Sequence, residues 1–398
     1  MTNNAVIVDA VRTASGKGKP GGALSAVHPV DLLAGVLREL VRRNDLDPAQ
    51  VDDVIGGCVT QAGEQSLNIT RNAVFAAGFP ETVPATTVDR QCGSSQQAAA
   101  FAAQGVLAGS YDIVIAAGVE SMSRAPMFSA TGEADPYGHA VAQRYPDGLI
   151  TQGVSAEIIA SRWKLDRQAL DEFAARSHRL AAAATAAGRF SGEVVPVPVM
   201  AADGTSGMHE VDETIRAATT VEGLAALRPA FQGDPAGERF PEINWSITPG
   251  NSSPLTDGAA AVLIMSEHMA ARLSLRPRAR FHSFSVIGDD PILMLTGIIP
   301  ATRKALDRAG LSIDDIDAYE VNEAFAPVPL AWLNDVAADP GRLNQQGGAI
   351  ALGHALGASG ARLLTTLVTT LEQTGGRYGL QTMCEGGGMA NATIIERL

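Results

Sequence analysis

The sequence predicts an α/β protein made of two similar halves, with a separate domain inserted into the first. Three observations point there. Apolar runs of strand length alternate with stretches of helical periodicity. An acidic link feeding an apolar strand occurs twice, as LDPAQVDDVIGG (46–57) and LSIDDIDAYEVN (311–322). The alternation breaks off across residues 121–245 and then resumes.

Taken in order, residues 5–8 form a short apolar strand. Across 31–43, Leu33, Val36, Leu37, Leu40 and Val41 recur at helical spacing. Residues 51–57 read as a strand, 98–108 as a helix of small residues, and 113–117 as a buried strand. The interruption then holds a loop (SRAPMFSATGEADPYGHA), a long helical stretch (TQGVSAEIIASRWKLDRQALDEFAARSHRLAAAATAAG) and a Pro/Val strand, EVVPVPVM. PGNSSPLTDGAAAVLIMSE (249–267) returns to turn, helix and strand and closes the first unit; SLRPRARF (274–281) is the link to the second. The expected division is 1–120 with 246–270 as the N-terminal half, 121–245 as the insertion, and 271–398 as the C-terminal half.

Composition narrows the function. A hydrophobic share of 46% with 18% charged residues is globular, and a net charge of -13 argues against a nucleic-acid or membrane-surface protein. It leaves room for an anionic small ligand held by a few local arginines. No apolar run reaches the ~18 residues of a membrane span. MTNNAVIVDAVRT has no signal-peptide pattern and ATIIERL is no peroxisomal address, so a cytoplasmic location is expected. Cysteines at 58, 92 and 384 are odd in number and widely spaced, which is neither a disulfide framework nor a metal pattern.

Four stretches carry chemistry. In DRQCGSSQQAAAFAAQGVLAG (89–109), Cys92 sits just ahead of a small-residue helix. The positive end of a helix dipole favours a thiolate, so a lowered thiol pKa is expected. A buried small hydrophobe is an equally good reading of that stretch alone. In NQQGGAIALGHALGASGARLL (344–364), His354 lies on a glycine-rich turn after a short apolar strand and before a helix starting near Ser359. It can serve as the base for Cys92. In MCEGGGMANA (383–392), Cys384 ends a strand and enters a glycine turn whose N–H groups can bind an oxyanion. In VNEAFAP (321–327), Asn322 ends a strand; alone it is an ordinary turn asparagine. Cys58, after VIGG, reads as structural.

DRQCGSS, NEAFA, GGAIALGHALGASGAR and CEGGGMANA, in that order, together with GNSSPLTDGAAAV and LRPAF, resemble the thiolase family over the whole chain. The resemblance implies α-β-α-β-α layers, with the inserted loop domain carrying much of a coenzyme A site, and a dimer or tetramer, here expected as a homotetramer. It implies cleavage of a 3-ketoacyl-CoA by coenzyme A, or the reverse Claisen condensation, with acyl-CoA as substrate and no tightly bound cofactor. By this resemblance Cys92 is the nucleophile, His354 its base and Cys384 the second acid/base. Asn322 with a water, and His354, form one oxyanion hole; the N–H groups of Cys92 and Gly386 form the other. Ser253 matches a pantetheine contact, Arg216 a residue near the adenine end, and Phe231, Met294 and Phe325 the lining of the pantetheine and acyl pocket.

The chain departs from the family pattern in three places. Ala355 stands where Pro usually follows the histidine, and Asp89 where Asn is common. Thr151-Gln152-Gly153 replaces the His-Met-Gly of acetoacetyl-CoA synthesising members, which points to a degradative enzyme for longer or bulkier acyl chains. The alternatives are a biosynthetic acetoacetyl-CoA thiolase, a ketosynthase-like condensing enzyme, and a non-catalytic acyl-CoA-binding subunit. Cys384, where ketosynthases hold a histidine or asparagine, disfavours the second of these.

Overall fold

The computed structural model describes residues 4–200 and 204–398; residues 1–3, part of the stretch read above for a targeting signal, lie outside them. The first half runs β1 (Ala5–Thr13), α1 (Pro29–Arg43), β2 (Asp53–Gly57), α2 (Ile69–Ala76), β3 (Ala85–Val88), α3 (Ser94–Leu107) and β4 (Ile113–Ser121). The insertion follows, with α4 (Gln152–Arg162), α5 (Arg167–Ala186) and a hairpin of Val197–Met200 with Ser206–His209. Strand β5 (Thr256–Ser266) then completes the first half. The second half runs β6 (Ala279–Gly288), α6 (Ile298–Ala309), β7 (Ala318–Val321), α7 (Pro327–Val336), α8 (Ser359–Thr374), β8 (Tyr378–Glu385) and β9 (Met389–Arg397).

Strand pairing establishes the duplication. The first half has the order β1-β5-β4-β2-β3 and the second β6-β9-β8-β7. In each, the first three strands pair antiparallel and the fourth runs parallel to the third, and β3 adds one more parallel strand to the first half. The two half-sheets join where β1 meets β6 through Val6↔Arg280 and Ile7↔Ala279, giving, with the short strands Gly16–Lys17 and Val194–Val195 beside β5 and β1, one eleven-stranded sheet. Both halves of that sheet face α3 and α8. One apolar cluster unites Ile7, Val114 and Val262 of the first half-sheet, Phe281 and Ile395 of the second, Ala98 and Ala102 of α3, and Leu364 and Leu367 of α8. On the outer sides, α1 and α2 cover the first half-sheet and α6 and α7 the second. The five layers expected from the family resemblance are thus present.

Side-chain period explains the layers. Along β5, Ala260, Val262 and Ile264 face the central helices while Ala261, Leu263 and Met265 face the outer ones. The alanine-rich face of α3 lets the half-sheets approach. The insertion does not stand apart: Ile159 of α4 and Leu170 of α5 pack into the outer core of the second half, and Trp163 Nε1 donates to Asp335 Oδ1 at 2.8 Å. Two local expectations fail. The stretch 258–262 (GAAAV) lies inside strand β5 rather than a helix, and Ala349–Leu352 is a helical turn rather than a strand.

Candidate active site

Glycines bring the reactive loops together. A Cβ on Gly57 would lie 2.4 Å from Ser95 N, one on Gly118 2.3 Å from Gly357 O, and one on Gly360 2.1 Å from Gln96 N. The ends of β2 and β4, the first turn of α3 and the entry to α8 therefore meet backbone against backbone, which only glycine allows. Ser95 Oγ accepts the Ala361 N–H at 2.9 Å and locks the two helix starts. As a result Cys92, at the start of α3, shares an apolar cluster with Met122, Met383 and Leu356, two residues beyond His354.

The Cys92 loop is held by its own side chains. Asp89 Oδ1 accepts the Gln91 N–H at 2.6 Å, so its charge serves a turn at the surface, and Gln91 takes φ 49°. Ser94 Oγ accepts the Arg90 N–H at 2.9 Å. Cys92 itself is 4% exposed. Burial, and then the Glu385 carboxyl, push its thiol up to about 12; a hydrogen bond from the Gln152 side chain acts in the opposite sense. The lowered thiol pKa expected from the helix terminus is therefore not found: desolvation outweighs the dipole, and the resting group is a neutral thiol.

His354 is oriented from both ring nitrogens. Gly353, at φ 83°, turns the chain under Thr256, whose Oγ1 accepts the His354 N–H at 2.9 Å. Ser359 Oγ donates its one proton to Ala355 O at 2.8 Å, so at 2.6 Å it accepts from His354 Nδ1–H. That leaves the lone pair on Nε2, where Asn322 Nδ2 approaches to 3.4 Å as a donor. Burial, with Arg362 adding to it, pushes the imidazole down to about 3, so it is a neutral acceptor. Ala355, in place of proline, leaves this arrangement formed.

Asn322 follows β7, and its N–H donates to Thr382 O at 3.1 Å, tying it beside β8. Its Oδ1 is buried without a hydrogen-bond partner among the described residues. Cys384, near the end of β8, is 1% exposed. Burial first and Cys92 second hold its thiol well above the usual range, so the two sulfurs lie within electrostatic reach of each other. Gly386 opens the following turn with its Cα toward Gln91, since an added Cβ would stand 3.0 Å from Gln91 Oε1. Cys92, His354, Asn322 and the Cys384–Gly386 turn thus converge from four separate segments.

Of the other expected residues, four lie nearby. Ser253 donates N–H and Oγ–H to Ala324 O at 3.0 and 3.1 Å. Phe231 and Phe325 meet edge to face with centroids 6.0 Å apart, against the cluster that also holds Met294 and Cys384. Gly153 is pressed onto Phe231, where a Cβ would come within 2.4 Å of the ring, so the start of α4 forms one wall beside these aromatics. Arg216 lies elsewhere: it is exposed, and its N–H donates to His178 Nδ1 at 3.2 Å. Among the described residues no cluster of His, Cys, Asp and Glu could hold a metal ion.

Sequence reasoning missed two buried carboxylates that frame the site. Glu120, ending β4, accepts the N–H groups of Val59, Thr60 and Gly357 at 2.9, 3.1 and 2.9 Å, and the Gln65 amide at 2.8 Å. Glu323 accepts from Ser177 Oγ, Asn344 Nδ2 and Ile350 N at 2.7, 2.8 and 3.1 Å, joining the Asn322 loop to α5 and the turn before His354. Their signal was a glutamate at the end of an apolar strand and one beside Asn322. Cys58 is buried, with burial and then Glu120 pushing its thiol far up, as suits a structural residue.

Comparison with known proteins agrees with this geometry. Two family models match, "Thiolase, N-terminal domain" over residues 5–268 and "Thiolase, C-terminal domain" over 275–397. The chain is similar to a steroid 3-ketoacyl-CoA thiolase, FadA6, of Mycobacterium tuberculosis, with 49% identity covering 100% of this chain and 95% of that one. It is 46% identical to a 3-ketoacyl-CoA thiolase of Serratia proteamaculans, covering 99% and 100% of the two chains. The crystal structure of the Bacillus anthracis acetyl-CoA acetyltransferase superposes with a TM-score of 0.89 at 37% identity, covering 100% and 99%. With its duplicated halves and two facing cysteines, the chain belongs to the thiolase family of acyltransferases.

Proposed function

We propose that this chain is a degradative thiolase that splits a 3-ketoacyl-CoA with coenzyme A into acetyl-CoA and a shortened acyl-CoA. The carrying observation is the meeting of two buried thiols with a neutral histidine whose Nε2 carries the lone pair, approached only by Asn322 Nδ2 at a long 3.4 Å. Cys92 Sγ attacks the 3-keto carbon as its proton passes to His354 Nε2. The C2–C3 bond then breaks. The carbanion of acetyl-CoA takes a proton from Cys384, and Cys92 keeps the acyl group as a thioester. Coenzyme A next attacks that thioester and its thiol proton restores Cys384; the departing Cys92 sulfur recovers its proton from His354.

Oxyanions form twice, which needs two sets of donors. A water donating one hydrogen to Asn322 Oδ1 has its other free for the oxyanion, beside His354. The N–H groups of Cys92 and Gly386 serve the second. Ser253, Phe231, Phe325 and Met294 line the pantetheine and acyl path, with Arg216 toward the adenine end; coenzyme A is a substrate rather than a resident cofactor. We infer the domain division 1–120 with 246–270, 121–245 and 271–398, a cytoplasmic location and a homo-oligomer, taken as a homotetramer. Among the described residues no helix is long and apolar enough to cross a membrane.

The names of the relatives and the Thr151-Gln152-Gly153 stretch support longer or bulkier acyl chains over acetoacetyl-CoA. Thiolysis rates across a 3-ketoacyl-CoA chain-length series, including sterol-type side chains, test this reading. A higher kcat/KM for the long or bulky substrates is expected. The opposite ranking would favour the biosynthetic alternative, and no turnover of any member would favour a non-catalytic acyl-CoA-binding subunit.

A further inference from the structure

Glu385 is a charged residue type in a place that offers it nothing. It follows Cys384 at the end of β8, is fully buried, and both carboxyl oxygens lack a hydrogen-bond partner among the described residues. Its carboxyl lies on Gly93, the N-cap residue of α3: an added Cβ there would fall 1.9 Å from Oε1 and 2.7 Å from Cδ. Gly93 therefore leaves the room that this carboxyl fills, directly behind the nucleophile. A buried acid without partners is costly as an anion and far less so as a neutral group.

We propose that Glu385 is a positioning residue for Cys92, a carboxyl group seated under the first turn of α3 whose neutral form permits the nucleophile to ionise and whose anionic form opposes it. The inference rests on the assignment of Cys92 as nucleophile. The surrounding charges agree with it. Glu385 is pushed up to about 9, by burial first, with Arg90 opposing and Asp89 adding to the shift. Facing Cys92 are Glu385, Glu120 and the Gln152 amide; facing Cys384 are Cys92 and Glu385. Glu385 therefore acts on both sulfurs, and at neutral pH it is a carboxylic acid. Arg90 does not neutralise it by contact: its Nη1 is directed to Met389 Sδ at 3.6 Å. At neutral pH the uncharged carboxyl therefore places no negative charge beside the two thiols, and as pH rises and Glu385 ionises its charge opposes thiolate formation.

The test is the pH dependence of Cys92 alkylation by iodoacetamide in the full chain, read on the Cys92 peptide by mass spectrometry, for the parent and Glu385→Gln. The amide keeps the shape and cannot ionise. The proposal expects the variant's profile to lie at lower pH, with alkylation at pH 9.5 at least about threefold faster than in the parent, a displacement of roughly half a pH unit. Superimposable profiles would overturn it. If Glu385→Gln does not fold, Glu385→Met, also uncharged and of similar length, is read the same way with the same expectation. The outcomes separate from the functional reading. Alkylation of Cys92 that leaves thiolysis intact would remove Cys92 as nucleophile, whereas alkylation that abolishes thiolysis with unshifted profiles would remove Glu385 alone.

Discussion

Replacing His354 by glutamine should expose how much of the nucleophile's reactivity is borrowed. Gln can keep contacts toward Ser359 and Asn322, which lie 2.6 and 3.4 Å from the two ring nitrogens, but it offers no basic nitrogen. The parent thiol is pushed up, by burial first, to about 12, so very few Cys92 groups are ionised at pH 7 without a base. Loss of a positioned general base costs ~10²–10⁴, which sets the expected range. Rapid quenching of enzyme mixed with acetoacetyl-CoA, with mass measurement of the acylated Cys92 peptide, gives the rate directly. Between about pH 6 and 7.5, below the range where Glu385 ionises, the variant's rate should climb about tenfold per pH unit as hydroxide takes over, while the parent's climbs less. Acylation within tenfold of the parent, or a variant rate flat with pH, would refute the assignment of His354 as the acceptor.

Cys384→Ala should still form the Cys92 thioester but lose exchange of the acetyl-CoA methyl protons with solvent by at least ~10²; unchanged exchange seen by NMR would exclude Cys384 from carbon proton transfer. Gly360→Ala places a methyl 2.1 Å from Gln96 N, so it should separate the starts of α3 and α8 and lower stability by about 1–3 kcal/mol, read by urea unfolding. Glu323→Ala leaves the donors of Ser177, Asn344 and Ile350 without their acceptor and should cost about 3 kcal/mol or more together with activity; a cost below 1 kcal/mol would show that the hub is dispensable. Acid should also destabilise the chain through its buried neutral histidines. His178 and His354 are pushed down to about 4 and about 3, so below about 6.5 the unfolded chain binds protons the folded one does not. Stability falls as pH drops from 6.5 toward 4, and His178→Gln should flatten that slope; an unchanged slope would count against it.

The reactive loops were legible because their residue types are rare at such places: a histidine among glycines, and cysteines at a helix start and a strand end. Element boundaries were harder. Strand β1 runs to Thr13 rather than residue 8, because Asp9 and Arg12 look like a strand end. Arg12 is in fact buried, paired with Glu193 at 2.7 Å and Asp212 at 2.8 Å, partners from the insertion that no local window reveals. GAAAV looked helical because alanine favours helices, yet it lies in a strand buried on both faces, where small side chains give room to the central helices. Four apolar residues at 349–352 are too few to separate a strand from a helical turn. The thiol pKa was misjudged because burial comes from Met122, Leu356, Leu363 and Met383, which are distant along the chain. Glu120 and Glu323 stayed hidden for the same reason, as their partners come from several segments.

Incubation of the intact protein with a long-chain 3-ketoacyl-CoA in the absence of free coenzyme A, followed by mass spectrometry of its peptides, addresses the central claim most directly. A thioester of the shortened acyl group on Cys92, with acetyl-CoA released in equal amount and neither product formed by Cys92→Ser, is the predicted result. An acyl group found on Cys384 or Cys58 instead, or normal acylation of the Cys92→Ser variant at another residue, would contradict the account.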